Sequence, residues 1–391
     1  MTKGPLEGMR VVDFTTTIAG PYCARLMADL GAEVIKIETV EGDMMRSRMP
    51  LRNGASTSFG QLNAGKQSIA LDLKQPAAQE VARRLMKASD FLVENFRPGV
   101  MKRFKLDYET VAAWHPQLIY CSISGYGQTG PSSGLPAYAP AIHAASGFDM
   151  AHIAYQPGRE RPDNCGIYIA DILSGTYAFG AIMAALTQRQ KLGHGQHVDV
   201  SMLETMLTLM VGEVQSAQFA VAPPGRPMFG PVRTKDGYIM PAVASEKTFQ
   251  SLCQAAGHPE WITDPRFAVY TDRRNHWGTF IDELEHWSTT LTTAACQAVF
   301  DSFGVPASPY RTVQEAMADP QLEHRGAFAE VQDKGGRFKV LNPPFRMSAA
   351  RVQVADFAAD LSEHGRDVLA LAGYTDDEID GMAANGVVRL G

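Results

Sequence analysis

The pattern of apolar and polar positions in the first half of the chain switches repeatedly between short apolar runs and helical periodicity. Met9 to Phe14 is strand-like, with Val11 and Val12 inside a short apolar run. Gly20 and Pro21 suit a helix start, because proline at the first helical position forfeits only an N–H that has no helical partner anyway. Cys23, Leu26, Met27 and Leu30 then recur at helical spacing as one buried face, and Gly31 stops the helix where a left-handed residue is wanted. Val34 to Ile37 is a second strand, closed by Glu38.

The same device repeats downstream. "SIALDLKQP" ends a strand at Lys74, and "AAQEVARRLMKA" is helical with Val81, Leu85 and Met86 inward. "DFLVENFRPG" is a strand running into Asn95, Phe96 and Arg97, and "QLIYCSISGYGQTGP" another, with Gly125, Tyr126, Gly127 and Gly130 in its loop. Strands alternating with helices predict an α/β fold, a parallel sheet with helices on both faces, whose ligands sit outside the carboxyl ends of the strands. That rule gathers Thr15 to Ala19, Lys74, Asn95, Phe96, Lys102, Arg103 and Tyr126 at one rim. From pattern alone the rim is either a binding edge or a solvated surface kept soluble by its cations.

A strand–loop–helix unit closed by Glu38 suggests a dinucleotide site, but such a site needs G-x-G-x-x-G so that backbone can approach a pyrophosphate. Here the loop reads TTTIAGP, and only Gly20 remains. Further on, "GIYIADILSGTYAFGAIMAAL" reads as a short strand, an aspartate and an apolar helix. Asp171 therefore falls at or near a helix start, where free N–H groups and the dipole favour an ionised carboxylate. An N-cap and a nucleophile both fit that position.

The pattern breaks at "AVAPPGRPMFGP", residues 220–231, which reads as a linker. Beyond it "TFQSLCQAAG", "WGTFIDELEHW" and "TTAACQAVFDSFG" are short helices, and "AFAEVQDKGGRFKVL" is a hairpin turning at Gly335 and Gly336. The expected organisation is a large domain over 1–219, the linker, a smaller α+β domain over 232–340, and a return over 341–391 whose helices complete the large domain.

Composition narrows the function. A chain of 391 residues with 45% hydrophobic and 20% charged positions suffices for two cores, and a net charge of -6 argues against a general nucleic-acid binder. Five scattered cysteines, without C-x-x-C, and ten histidines, without H-E-x-x-H, give no metal site. The start carries no apolar signal segment and no run reaches the roughly 18 uncharged apolar residues of a membrane span, so a cytoplasmic protein without membrane contact is expected.

Read in order, "LEGMRVVDFTTTIAGP", "LNAGKQSIALDL", "VENFRPGVMKRF", "YCSISGYGQTGP", "ADILSGTYAFGAIMAAL", "GHGQHVDVSMLE" and "GYTDDEI" resemble the class III CoA-transferases, the family of formyl-CoA transferase and of the carnitine and bile-acid CoA-transferases. The resemblance implies a large Rossmann-like domain, a smaller α+β domain and an interlocked homodimer. It implies transfer of CoA between an acyl-CoA thioester and a free carboxylic acid through an aspartyl mixed anhydride and an aspartyl-CoA thioester. Asp171 aligns with the family's catalytic aspartate. Thr16, Thr17, Ile18, Ala19, Leu71, Lys74, Asn95, Phe96, Arg103 and Tyr126 fall on CoA-contacting positions. CoA is then substrate and product, with no tightly bound cofactor. Thr39 and Ser124 depart from the pattern, standing where formyl-CoA transferase has an arginine and a lysine, with Arg46 as a candidate substitute.

The α-methylacyl-CoA racemases share this fold, and in them a histidine partners the aspartate, because racemisation needs an acid/base group on each side of the carbon. That histidine would fall near Tyr138. In "PAYAPAIHA" the available His143 is displaced by five residues, which favours the transferase.

Overall fold

The computed structural model describes residues 3–156, 158–219 and 229–391, so most of the expected linker, 220–228, lies outside the described residues. The chain divides into two compact units, one of residues 1–214 with 321–391 and one of 215–320.

In the larger unit, β1 (Arg10–Asp13) leads into α1 (Ala19–Asp29) and β2 (Glu33–Glu38), followed by β3 (Lys66–Leu71), α2 (Pro76–Lys87), β4 (Phe91–Glu94) and β5 (Ile119–Ser124). The short helices α3 (Ala139–Ala145) and α4 (Phe148–Ile153) precede the long α5 (Ile169–Leu192), then β6 (His197–Ser201) and, near the end, β7 (Val388–Arg389). The sheet runs β7-β3-β2-β1-β4-β5-β6. All neighbours are parallel except β7, which pairs antiparallel with β3 at the edge. The chain thus reverses its direction of travel between β1 and β4, and the crevice outside their carboxyl ends is the switch point at which such sheets bind ligands.

Alternation along the strands builds two cores. Val11, Val34, Phe91, Val93 and Ile119 pack with Cys23 and Met27 of α1 and Ala178 and Ile182 of α5. The intervening residues Val12, Ile35, Leu92 and Tyr120 face Val81, Leu85 and Met86 of α2 and Val368, Leu369 and Ile379 of the C-terminal helices. Both faces are covered, which is why the strands read as near-continuous apolar runs.

Three local expectations change. β3 ends at Leu71 rather than Lys74, because the Gln75 N–H turns back to the Asp72 carbonyl at 2.9 Å and Pro76 then opens α2. No strand precedes Asp171; α5 begins at Ile169, and Asp171 lies inside its first turn with Tyr168 as the N-cap. The hairpin, Phe328–Asp333 with Gly336–Leu341, turns through Lys334 and Gly335, since Asp333 pairs with Gly336. It belongs to the larger unit, where Arg52 donates to the Gly335 and Gly336 carbonyls and to Asp333.

α5 is long and apolar enough, by length and composition, to cross a membrane. One side of it is spent on the core through Ala170, Ala178, Ile182 and Ala185, while Ile172 and Tyr177 are exposed. The smaller unit is a three-stranded sheet, Val232–Arg233, Tyr238–Pro241 and Ala307–Pro309, with the expected three helices around Phe249, Phe280 and Phe300.

The α1–α5 contact depends on Gly175. A Cβ there would lie 2.5 Å from the Ala19 carbonyl oxygen and 3.2 Å from the Tyr22 ring, with backbone that cannot yield cheaply. Gly175→Ala, despite its better helix propensity, is therefore expected to destabilise the protein by about 1–3 kcal/mol. A fall in the denaturant midpoint at unchanged slope is the result to look for; a rise would mean that the helices separate freely.

Candidate active site

The loop after β1 is held from below by a buried ionic network. Asp13 is fully buried and its Oδ1 accepts from the Thr15 N–H at 2.8 Å and from the Thr15 hydroxyl at 2.5 Å. Its Oδ2 accepts from Lys66 Nζ at 2.8 Å, and the same ammonium donates to the Pro21 carbonyl and to Asn63 Oδ1, each at 2.9 Å. Lys36 Nζ donates to the Thr15 carbonyl at 2.7 Å and lies 3.0 Å from Asp43 Oδ2. Burial alone would raise the Asp13 carboxyl, yet Lys66 and Lys36 hold it below its ordinary value. Burial lowers the Lys66 ammonium to about 8 against the pull of Asp13.

This network fixes the shape of the loop above it. Thr17 is held with a positive φ of 72°, a conformation that a threonine rarely adopts and that the surrounding contacts must impose. Gly20, the one glycine of the loop, is required by close approach: a Cβ there would meet the Thr15 side chain at 2.3 Å. Across the switch-point crevice, Asn95 clasps the loop with two bonds, its Oδ1 accepting from the Thr16 N–H at 2.9 Å and its Nδ2 donating to the Thr16 carbonyl at 2.8 Å.

A cavity of about 240 Å³ opens there. It brings together Thr16, Thr17, Ala19, Asn95, Phe96 and Asp171, six of the residues singled out in the sequence. Burial pushes the Asp171 carboxyl up to about 6, overriding the dipole argument made from its place at a helix start. A carboxylate at that value is still about ten-to-one ionised at pH 7 and is more basic than a free aspartate.

The other expected residues lie elsewhere. Leu71 and Lys74 line an adjoining hollow of about 260 Å³ with Thr39, and Phe96 borders both. Ile18 points into a small core with Met45, Phe59 and Leu62. Tyr126 packs on the core beside α1 and α5. Arg103 is exposed at the end of the short helix Val100–Arg103 and lines neither hollow. Arg46 donates to both oxygens of Glu38, at 2.8 and 2.7 Å, and to the Ala359 carbonyl, and it lies over the Phe59 ring. Glu38 also receives Ser68 and the Asp43 N–H, so its carboxylate is committed within the protein and free for no ribose.

Several wall residues were not singled out as site residues in the sequence. Ser133, Leu135, Ala137 and Tyr138 come from an irregular stretch before α3, and Arg97 and Pro98 from the loop after β4, inside "VENFRPG". Met44 also lines the cavity, with its sulfur 3.6 Å from the Thr17 hydroxyl. The buried ions were legible only as charges inside apolar runs, Asp13 in VVDF and Lys36 in EVIKIE, where a charged side chain needs a partner.

Lys66→Met would leave Asp13 buried and unpaired, at an expected cost of about 3–5 kcal/mol. Lys66→Met combined with Asp13→Asn should recover most of that loss, because Asn retains the Oδ1 acceptor for Thr15. Chemical denaturation of the two variants checks it, and a double variant no better than the single would place the cost in packing instead of charge.

Residues 6–365 match the sequence profile of CoA-transferase family III. The chain is 34% identical to the succinyl-CoA–D-citramalate CoA-transferase of Chloroflexus aurantiacus, covering 98% of both chains. It is 30% identical to the formyl-CoA:oxalate CoA-transferase of Escherichia coli O6:H1, over 97% of this chain and 99% of that one. Its structure is similar to a CaiB/BaiF family protein from Brucella suis, with a TM-score of 0.84 at 32% identity, covering 95% of this chain and all of that one.

Proposed function

The chain belongs to CoA-transferase family III, and we propose that it moves CoA between an acyl-CoA thioester and a free carboxylic acid with Asp171 as nucleophile. The observation that carries this reading is the cavity at the switch point, lined both by Asp171, its basicity raised by burial, and by the Thr16–Asn95 clasp.

The chemistry needs no redox step and no net proton. An Asp171 oxygen attacks the thioester carbonyl carbon, and the tetrahedral adduct collapses with loss of CoA thiolate to a mixed anhydride. The thiolate then attacks the aspartyl carbonyl carbon and expels the first acid as its carboxylate, leaving an aspartyl-CoA thioester. The acceptor carboxylate attacks that thioester, releasing thiolate again and forming a second anhydride. Attack of the thiolate on the acceptor's acyl carbon regenerates Asp171 and delivers the new acyl-CoA. The energy of the thioester is kept throughout, provided that water is excluded from the anhydrides.

CoA runs, in this proposal, over the Thr16–Ala19 loop and the Asn95–Phe96 turn, with Leu71 and Lys74 of the adjoining hollow toward its nucleotide end. The relatives named above act on citramalate and oxalate, so short dicarboxylates are the first acceptors to test. A racemase would need a second acid/base group facing the substrate. His143 is 1% exposed, is not among the residues that line the Asp171 cavity, and has its Nε2 engaged by the Ala170 N–H.

Asp171→Asn and Asp171→Ala should abolish CoA exchange while CoA still binds, and acyl-CoA with hydroxylamine should leave an aspartyl hydroxamate at residue 171, located by peptide mass. Because only the ionised carboxylate attacks, kcat/KM should fall about tenfold per pH unit below about 6. Exchange at an undiminished rate in Asp171→Asn would refute the mechanism.

The assembly we propose is a homodimer in which each chain threads the other. Two features support it: the larger unit is formed from both ends of the chain, and the large apolar side chains of Ile167, Tyr168, Ile172 and Tyr177, on and beside α5, are exposed. Single exposed apolar residues need no explanation, but several of them on and beside one apolar helix suit a contact surface. A threaded dimer cannot follow simple mass action, so sedimentation should give the dimer mass down to nanomolar concentration. Active monomer on dilution would reject threading.

A further inference from the structure

His143 lies on α3 with 1% of its surface exposed, and its Nε2 accepts a hydrogen bond of 3.1 Å from the Ala170 N–H. Ala170 is the second residue of α5, one position before Asp171, and its amide is among those that a helix start leaves without an internal partner. The residue that would ordinarily cap this end, Tyr168, makes no side-chain capping bond. The helix that carries the candidate nucleophile is therefore capped from a different helix.

For Nε2 to accept, the imidazole must be neutral with its proton on Nδ1. Burial favours that neutral state, lowering the basicity of the ring against the opposing charge of Asp149 on α4. Nδ1 itself is buried and has no partner among the described residues. A leucine at this place would avoid an orphaned buried donor, which costs stability when left unmade. The retained cost calls for a reason other than packing.

Position supplies the reason. Leu135, Ala137 and Tyr138, the residues leading into α3, line the cavity together with Asp171. The His143–Ala170 bond ties α3 to the turn that holds the carboxylate. We infer that His143 is a positioning residue, whose neutral Nδ1–H imidazole caps α5 and sets the Asp171 carboxylate at its working distance from the 135–138 wall. This rests on the reading of Asp171 as nucleophile. His143 is not among the residues that line the cavity, so its effect belongs on the chemical step, where small misplacement of a reacting group can cost about 100-fold.

The test compares His143→Leu, which removes the acceptor, with His143→Gln, whose amide oxygen can take the Ala170 N–H. His143→Leu should lower kcat for CoA exchange about 10–100-fold with KM for acyl-CoA within twofold, and His143→Gln should restore kcat to within about threefold of wild type at a similar melting temperature. Equal loss in the two folded variants, full activity in His143→Leu, or an effect on KM alone would overturn the assignment. An independent readout needs no activity: in the wild-type protein, 15N chemical shifts of the His143 ring should report the Nδ1–H tautomer, and the Ala170 amide should exchange slowly. A cationic ring, or the Nε2–H tautomer, at neutral pH would overturn it even if His143→Leu failed to fold. If Asp171→Asn kept its activity while these spectra came out as expected, the nucleophile assignment alone would fall.

Discussion

The structure around the site depends on one constraint: Asp13, at the end of the central strand, is a carboxylate with no access to water. A charge in that position is tolerated only when opposite charges and hydrogen bonds surround it. Lys66 from β3 and the Thr15 amide and hydroxyl meet that demand, and Lys66 in turn reaches the start of α1 through the Pro21 carbonyl. Lys36, from β2, completes the set by holding the Thr15 carbonyl. Three adjacent strands and the first helix are thus locked to one loop by groups that cannot slip without leaving a buried ion alone. Apolar packing alone would allow the loop several positions; a network of this kind allows it few.

The locked loop explains how a dinucleotide-like unit is put to another use. In a dinucleotide fold, glycines leave room for a pyrophosphate and an acid at the end of the second strand takes the ribose. Here the loop carries threonines, one of them in a left-handed conformation, and Glu38 is consumed by Arg46, Ser68 and the Asp43 amide. Crevice and topology are kept, but the groups that would read a dinucleotide are turned inward to hold the protein together. What remains open at the switch point is a cavity with one aspartate of raised basicity, a setting for acyl transfer.

Asp171 shows how two physical effects compete at one residue. Its place in the first turn of α5 favours the carboxylate, while its burial disfavours it, and burial prevails. A group whose folded-state pKa lies above its unfolded value contributes stability at low pH and loses it as pH rises through about 6, so at neutral pH the ionised Asp171 works against the fold. The same displacement makes the oxygen more basic, which is what the proposed role as nucleophile asks of it. In that proposal function and stability are opposed at this side chain, and α5 is secured by its contacts with α1 and by the bond from the Ala170 N–H to His143.

The sequence by itself determined the elements and the fold class, because both rest on local signals: strands with apolar runs, α2 with Val81, Leu85 and Met86 on one face, Pro and Gly at helix boundaries. It also marked Thr16, Thr17, Asn95 and Asp171, through loop position and resemblance. Two boundaries differ from the sequence reading: a turn bond from Gln75 to Asp72 follows the end of β3 at Leu71, and no strand forms before Asp171 because α5 already begins at Ile169. Only the tertiary structure decided which charges are internal ties and which are free. Glu38 and Arg46, eight residues apart, read in the sequence as candidate ligand-binding groups until β2 and β3 bring them together against Ser68. It likewise placed His143 against Ala170, 27 positions away, and brought Ser133, Leu135, Ala137 and Tyr138 to the cavity. Such pairings leave no periodicity in a sequence, because they depend on where separate elements stop in space and not on how any one of them is made.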